Sequence, residues 1–164
     1  MRATIYVLTF AAVLSQMAMA HAQEASIAFE GLQAGAGEPV EITADQLEVT
    51  QSASTAEFTG HVLVIQGGLR LSSDTLTVEY VEGDKTRIDR LIAEGNVLLS
   101  TPAEAAQGAR AVYLLTSQEL EMTGDVVLTQ GGNVMSGEKL LVDIAEGTGR
   151  MDGRVRTILQ PAEN

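Results

Sequence analysis

Three carboxylates stand at one position of a repeating pattern. Asp45, Asp74 and Glu138 each lie two residues before a leucine: Leu47, Leu76 and Leu140. Carboxylates do the work of glycoside hydrolysis, but that needs two of them facing across a cleft. Regular spacing instead sets these three along one edge as a ladder, which reads as a solvated charged face. His61 is the one histidine beyond the first 22 residues. General acid–base chemistry favours histidine, yet the same slot of the pattern holds Asn96, Asp125 and Arg154 in other copies. A slot that varies so freely reads as a solvent-facing turn residue. No serine sits in a nucleophile-elbow context, and no metal motif is present. The calcium-binding β-helix repeat needs Gly-Gly-x-Gly-x-Asp, which does not occur. The chain has no cysteine, which excludes thiolate catalysis, Cys-x-x-Cys redox work and cysteine-ligated zinc. No enzyme, metal or cofactor is expected. The basic residues Arg70, Lys85, Arg87 and Arg90 fall close together. They would either contact phosphates at the mouth of a groove or serve as strand-edge charges against aggregation; the edge reading is preferred.

The pattern itself is a motif repeated four times: Gly60-His61-Val62, Gly95-Asn96-Val97, Gly124-Asp125-Val126 and Gly153-Arg154-Val155. Each copy opens an apolar run of period two. A second apolar stretch follows each of the first three, marked by Leu76, Ala111 and Leu140. Near-constant spacing of this kind marks stacked copies of one supersecondary unit, here strand, turn, strand. The stretch Val62 to Gly68 matches Val126 to Gly132, and each ends in a Gly-Gly pair suited to a two-residue hairpin. One rung carries six extra residues around Glu82 to Asp89, read as a longer hairpin turning at Glu82-Gly83-Asp84. The motif glycines are expected to be corners or bulges.

Alternation runs almost unbroken from Val40 to Gln160, the signature of an all-β sandwich, barrel or solenoid. Residues i and i+2 share a face. One inner surface is therefore expected to collect Phe58, Val62, Val64, Leu69, Leu71, Leu76, Val78, Tyr80, Leu91, Ala93, Val97 and Leu99. It continues with Ala111, Tyr113, Leu115, Leu120, Met122, Val126, Leu128, Leu140, Val142, Ile144, Val155, Thr157 and Leu159. The alanine-rich stretch 101–107 is expected to be a loop with one helical turn.

Residues 1–22 read as a cleaved secretory signal peptide, with Arg2, a short apolar core and A-x-A sites ending at Ala20 and Ala22. The apolar core is about 12 residues, short of the roughly 20 that span a bilayer. Residues 23–38 read as a flexible linker, 39–161 as the domain and 162–164 as a tail. The formal net charge of -12 repels polyanions, which argues against nucleic acid. An apolar content of 45% argues against disorder. Without tryptophan, and with Phe29, Phe58, Tyr80 and Tyr113 as the aromatics past the leader, there is no stacking platform for sugars or bases.

The stretch EFTGHVLVIQGGLRLSSDTLTVEY resembles the lipopolysaccharide-export periplasmic bridge proteins (LptA, the OstA-like domain). In that family an F-T-G-N-V run leads to a Q-G turn and a second strand. PVEITADQLEV is similar to its opening strand, LEMTGDVVLTQGGNVMSGEKLLVDI to its late repeat and VRTILQP to its closing strand. The resemblance covers Pro39 to Pro161. It departs at His61, where the family often has asparagine, and over 101–107.

The resemblance implies a twisted, slot-shaped β-jellyroll with an apolar interior open at both ends. It implies binding of the lipid A part of lipopolysaccharide. It implies head-to-tail stacking between an inner-membrane complex and an outer-membrane translocon, in the periplasm. By position, the family's lipid contacts carry over to Val40, Ile42, Tyr113 and Leu115. Parity independently nominates Phe58, Val62, Val64, Leu69, Leu71, Val97, Leu99, Met122, Val126 and Leu128. The first and last strands, with Val40, Glu41 and Ile42 at one end and Val155, Thr157 and Leu159 at the other, are the expected oligomer edges. Two alternatives stay open: a secreted β-solenoid that polymerises without lipid, and a membrane-anchored sister component of the same pathway.

Overall fold

The computed structural model describes residues 27–29, 38–50, 52 and 54–160. The leader, the tail and most of the expected linker lie outside the described residues. The strands are β1 (Ile27–Ala28), β2 (Glu41–Thr43), β3 (Gln46–Thr50), β4 (Thr55–Gln66), β5 (Leu69–Tyr80) and β6 (Ile88–Ser100). They continue with β7 (Glu104–Leu114), β8 (Glu119–Gln130), β9 (Asn133–Asp143), β10 (Thr148–Asp152) and β11 (Arg156–Ile158). All pairings are antiparallel, in the order β1-β10-β9-β8-β7-β6-β5-β4-β2, with β3 also on β4 and β11 also on β9. A meander of long strands is thus flanked at each end by two short strands laid end to end on one long one. On β4, β3 pairs with residues 55–59 and β2 with residues 63–65. On β9, β11 pairs with residues 134–136 and β10 with residues 139–143.

The repeated glycine motif is where the long strands bend. Registers slip between Thr59 and Val62, Glu94 and Val97, and Thr123 and Val126. At each slip two successive residues are left-handed: Gly60 and His61 (φ 82° and 44°), Gly95 and Asn96 (78° and 47°), Gly124 and Asp125 (89° and 49°). Gly153 and Arg154 repeat the pair (78° and 36°) between β10 and β11. An inserted residue bends and twists a strand, and glycine takes the left-handed position without steric cost. The expected corners are therefore β-bulges. They fall at one level of the meander, so a single sheet folds into two layers.

The second residue of each pair is not glycine and is strained by about 1–2 kcal/mol. Three of the four are tied to the neighbouring strand by the carboxylate ladder seen in the sequence. His61 Nδ1 lies 2.7 Å from Asp45 Oδ2, and Asn96 Nδ2 donates to Asp74 Oδ2 at 2.8 Å. Arg154 donates to Glu138 Oε1 from Nε and Nη2 at 3.2 and 3.1 Å. In the fourth rung Ala109 stands where the acid would be, against Gly124. The ladder is structural: each acid holds a corner.

From Val62 to Ile144 the residues assigned inward by parity are buried, apart from Tyr80 and Leu115, which with Phe58 are half-buried against the same core. The Gly-Gly pairs close two-residue hairpins, Gln66 opposite Leu69 and Gln130 opposite Asn133. The longer turn falls at 81–87, where Asp84 accepts from the Thr86 amide (3.0 Å) and hydroxyl (2.7 Å). Those bonds lower the Asp84 pKa.

Three expectations need correction. Residues 104–107 are strand, not loop: β7 is paired on both sides, by β6 and β8, and that pairing outweighs the helical preference of alanine. Within the stretch read as linker, Ile27–Ala28 pairs with β10 and Phe29 is buried over Gly149. Val155, Thr157 and Leu159 are exposed rather than inside, Val155 and Leu159 by 49% and 71%, because β11 is an edge strand with a neighbour on one side among the described residues.

A Cβ on Gly95 would lie 2.4 Å from Asp74 Oδ2, whereas one on Gly83 (φ +80°) meets nothing within 4 Å. Gly95→Ala should therefore cost about 2–4 kcal/mol and Gly83→Ala about 1–2 kcal/mol. Urea midpoints at unchanged m-value measure the difference.

Candidate functional site

The residues expected to touch lipid converge on the space between the layers. Val62, Val64, Leu69, Leu71, Val97, Leu99, Val126 and Leu128 lie on strand halves of one layer, and Phe58, Tyr113 and Met122 on halves of the other. All are buried except Phe58, which is half-buried. Val40 and Ile42, at the start of β2, and Leu115, just past β7, are half-buried against them. The surface they form is apolar and continuous along the meander.

The slot expected through the middle is shut. Met122, Val126, Leu128 and Leu140 are fully buried. The space lined by Val40, Val64, Leu71, Leu91, Tyr113 and Leu120 is about 10 Å³, at the lower limit for one water molecule. The leucines and Met122 fill the volume that valine walls leave between them.

The interior does reach the surface at both ends. Beside β10 and β11 a mouth of about 580 Å³ is lined by Ile27, Met135, Met151, Val155 and Thr157, with Arg150 and Asp152 at its rim. At the other end Leu47 and Val49 are 56% and 60% exposed. They lie directly opposite Phe58 and Ala56 of β4, so they extend the inner face to the edge. The edge residues named from sequence take these positions: Val40, Glu41 and Ile42 at β2, and Val155, Thr157 and Leu159 around β11. Among the described residues β2 and β3 pair only with β4, and β11 only with β9. One side of each has no strand partner among the described residues.

Polar groups inside were not found from sequence. Tyr113 Oη donates to Gln66 Oε1 at 3.3 Å, joining one layer to the other, and Gln66 Nε2 donates to the Glu38 carbonyl at 3.1 Å. Burial raises the Tyr113 pKa, so the phenol stays a neutral donor. Gln130 repeats the device, donating to the Ala28 carbonyl at 2.6 Å and to Glu104 Oε1 at 3.3 Å. Buried Glu104 also accepts from the Thr101 hydroxyl. The signal was present in the sequence: each glutamine immediately precedes a Gly-Gly pair.

A further concavity of about 590 Å³ lies on the outer face of one layer, around Val112, Leu114 and Leu141 and rimmed by Arg90, Glu119, Glu121, Asp143 and Arg150. The residues named have the outward parity of their strands, while the inward Leu120 and Val142 lie at its floor. The basic group does not form one patch. Arg90 pairs with Glu79 at 2.9 Å and Arg87 with Asp84 at 3.9 Å, while Arg70 lies on the other layer opposite Ser100.

Residues 41–148, more than half of the chain, match the family described as LptA/(LptD N-terminal domain) LPS transport protein. The chain belongs to this family. An uncharacterized protein of Rhizobium meliloti (strain 1021) is 36% identical over 150 residues, which cover 85% of this chain and 81% of that protein. The lipopolysaccharide export system protein LptH of Pseudomonas aeruginosa is 24% identical over 140 residues, covering 76% and 80%. The crystal structure of LptH, described as the LptA homologous periplasmic component of the conserved lipopolysaccharide transport device, superposes with a TM-score of 0.69 at 19% identity. It covers 78% of this chain and 99% of LptH, and it shows the fold.

For an LPS transport protein of this build, the interior and its two ends are the surfaces that matter, and the first corner adjoins one of them. There the exposed His61 has its pKa raised by the hydrogen bond it donates to Asp45 and by that carboxylate's charge. Its contribution to stability is present below the ordinary histidine pKa of about 6.5. It is lost as pH rises through the higher folded value. NMR titration should give a His61 midpoint above the ordinary one, and Asp45→Asn should return it to that range.

Proposed function

We propose that this chain is a periplasmic lipopolysaccharide carrier. It shelters the acyl chains of lipid A between its two layers and passes them along a head-to-tail stack that links an inner-membrane export complex to an outer-membrane translocon. The observation that carries this reading is the single apolar inner surface that reaches solvent at both ends of the sheet. Membership of the LPS transport family supports it, as does the leader-like stretch 1–22. The reading assigns no catalytic residue, metal or cofactor.

Because the middle is closed, a chain must part the layers to enter. Acyl burial is worth about 0.8 kcal/mol per methylene, and this gain is offset by the side-chain packing given up as the layers separate. The balance favours weak, similar sites over one tight trap, which suits hand-over from copy to copy. The bulge corners are the natural hinge, since they join the layers on one side only. The open edges at β2–β3 and at β11 would pair with neighbouring copies by strand addition. Leu47 and Val49 of one copy would continue the apolar surface of the next through Val155 and Leu159.

Labelled lipopolysaccharide should co-elute with the purified protein; absence of co-elution overturns the carrier reading. The closed interior favours one rival, a secreted stalk that polymerises with a dry core, and that protein would fail the same assay. Leu128→Asp buries an unpaired charge and should cost more than about 4 kcal/mol together with lipid binding. Asp125→Asn, exposed at a corner, should change stability by less than about 0.5 kcal/mol. Val155→Asp and Leu47→Asp should shift multimers towards monomer in light scattering while leaving the melting midpoint within about 2 °C.

A further inference from the structure

The bond between Tyr113 and Gln66 is a polar contact set in an otherwise apolar wall. It is 3.3 Å long, at the long end for an O–H donor. It crosses between layers that the corners already join. It stands beside the small interior space, surrounded by Val64, Leu71, Leu99 and Leu120. Gln66 is the last residue before the Gly67-Gly68 turn, so the pair lies at the free margin of the layers, away from the corners. From Gln66 back to Val62 at the corner there is apolar wall for four residues, about 13 Å.

We infer that Gln66 and Tyr113 form a subsite for a hydroxyl group on a bound acyl chain, placed near the chain's head, with the alkyl tail running towards the corner. The inference rests on the carrier reading and adds a selectivity to it. When the layers part, the direct bond breaks, and a plain hydrocarbon leaves both the phenol and the amide oxygen buried without partners. Leaving such groups unpaired is penalised far more than making the bond is rewarded. A hydroxyl restores both. It accepts from Tyr113 Oη and donates to Gln66 Oε1, bridging the pair in place of the direct bond. Two ordinary O–H···O bonds at an angle need the oxygens about 1–2 Å further apart than they now stand, a modest separation of the layers. An ester carbonyl, which only accepts, would satisfy Tyr113 and leave Gln66 Oε1 unpaired. The preference is therefore for a group that both donates and accepts.

The test uses the full mature chain and two probes, 3-hydroxytetradecanoic acid and tetradecanoic acid, measured by calorimetry. The protein should bind the hydroxy acid roughly tenfold more tightly. A wholly apolar slot would give the opposite order, because burying an unpaired hydroxyl is unfavourable. In Gln66→Leu/Tyr113→Phe the preference for the hydroxy acid over tetradecanoic acid should vanish or reverse. Tyr113→Phe alone, which keeps the ring packing, should lose most of the preference if the double variant does not fold. Equal affinities in the unmodified protein, or a preference that survives in the variants, overturns the inference. Lipopolysaccharide co-elution read in parallel separates the two levels. Retained co-elution without preference removes the subsite alone; loss of all binding removes the carrier reading and the subsite with it.

Discussion

Two successive left-handed residues at one level of alternate strands are what the rest of this molecule depends on. Without them the meander from β4 to β9 would be an open twisted sheet with one apolar face in water. With them the sheet folds over that face, and the inward residues from Val62 to Ile144 find partners on the same chain. The corner needs glycine first, then a residue whose strain is offset by a bond to the adjacent strand. His61, Asn96 and Arg154 differ in chemistry but all reach the acid across from them, Asp45, Asp74 or Glu138. The slot tolerates variation because what matters is a donor facing a carboxylate. The Gly124 rung, with Ala109 across from it, shows that the backbone can hold a corner without that bond when both flanking strands are long and paired.

The closed interior places packing and transport in tension. Leu128, Met122 and Val126 are fully buried, yet the carrier reading requires the layers around them to separate. The arrangement of polar groups bears on how. The bonds that span from layer to layer or tie the N-terminal segment down, through Gln66, Tyr113 and Gln130, sit at the margin opposite the corners. Few bonds must break for that margin to open, while the corners stay fixed. A domain stabilised by one continuous core with interlayer polar links throughout would not open in this way.

The ends of the sheet reverse the usual treatment of edges. Exposed strands with apolar side chains are normally protected by charge, proline or a covering segment. Here Leu47, Val49, Val155, Ile158 and Leu159 stay exposed beside unpaired backbone. Among the described residues, the β10 side is partly covered by the two residues of β1. The cost is a risk of promiscuous pairing, which the net charge of -12 opposes through repulsion between copies. Edges and interior belong to one surface, so a stack of copies would prolong the inner wall without a seam of polar side chains.

Strand parity, the four corners, the Gly-Gly hairpins and the long turn at Gly83 were legible in the amino-acid sequence, because each rests on local rules. Side chains alternate with period two, and glycine supplies the positive φ that the corners and tight turns need. The inward residues from Val62 to Ile144 followed from that alone. What depends on non-local pairing was not legible. Residues 104–107 became strand because β6 and β8 lie on both sides, a fact that alanine propensity does not carry. Phe29 docks because Gly149 of β10, more than a hundred residues away, leaves room for its ring. The width of the space between the layers was decided only by how leucines and Met122 from distant rungs interdigitate, since a pattern records which face a side chain takes but not how far the opposite face stands. The Gln66–Tyr113 contact arose in the same way: two residues 47 positions apart met because the sheet folded at its corners.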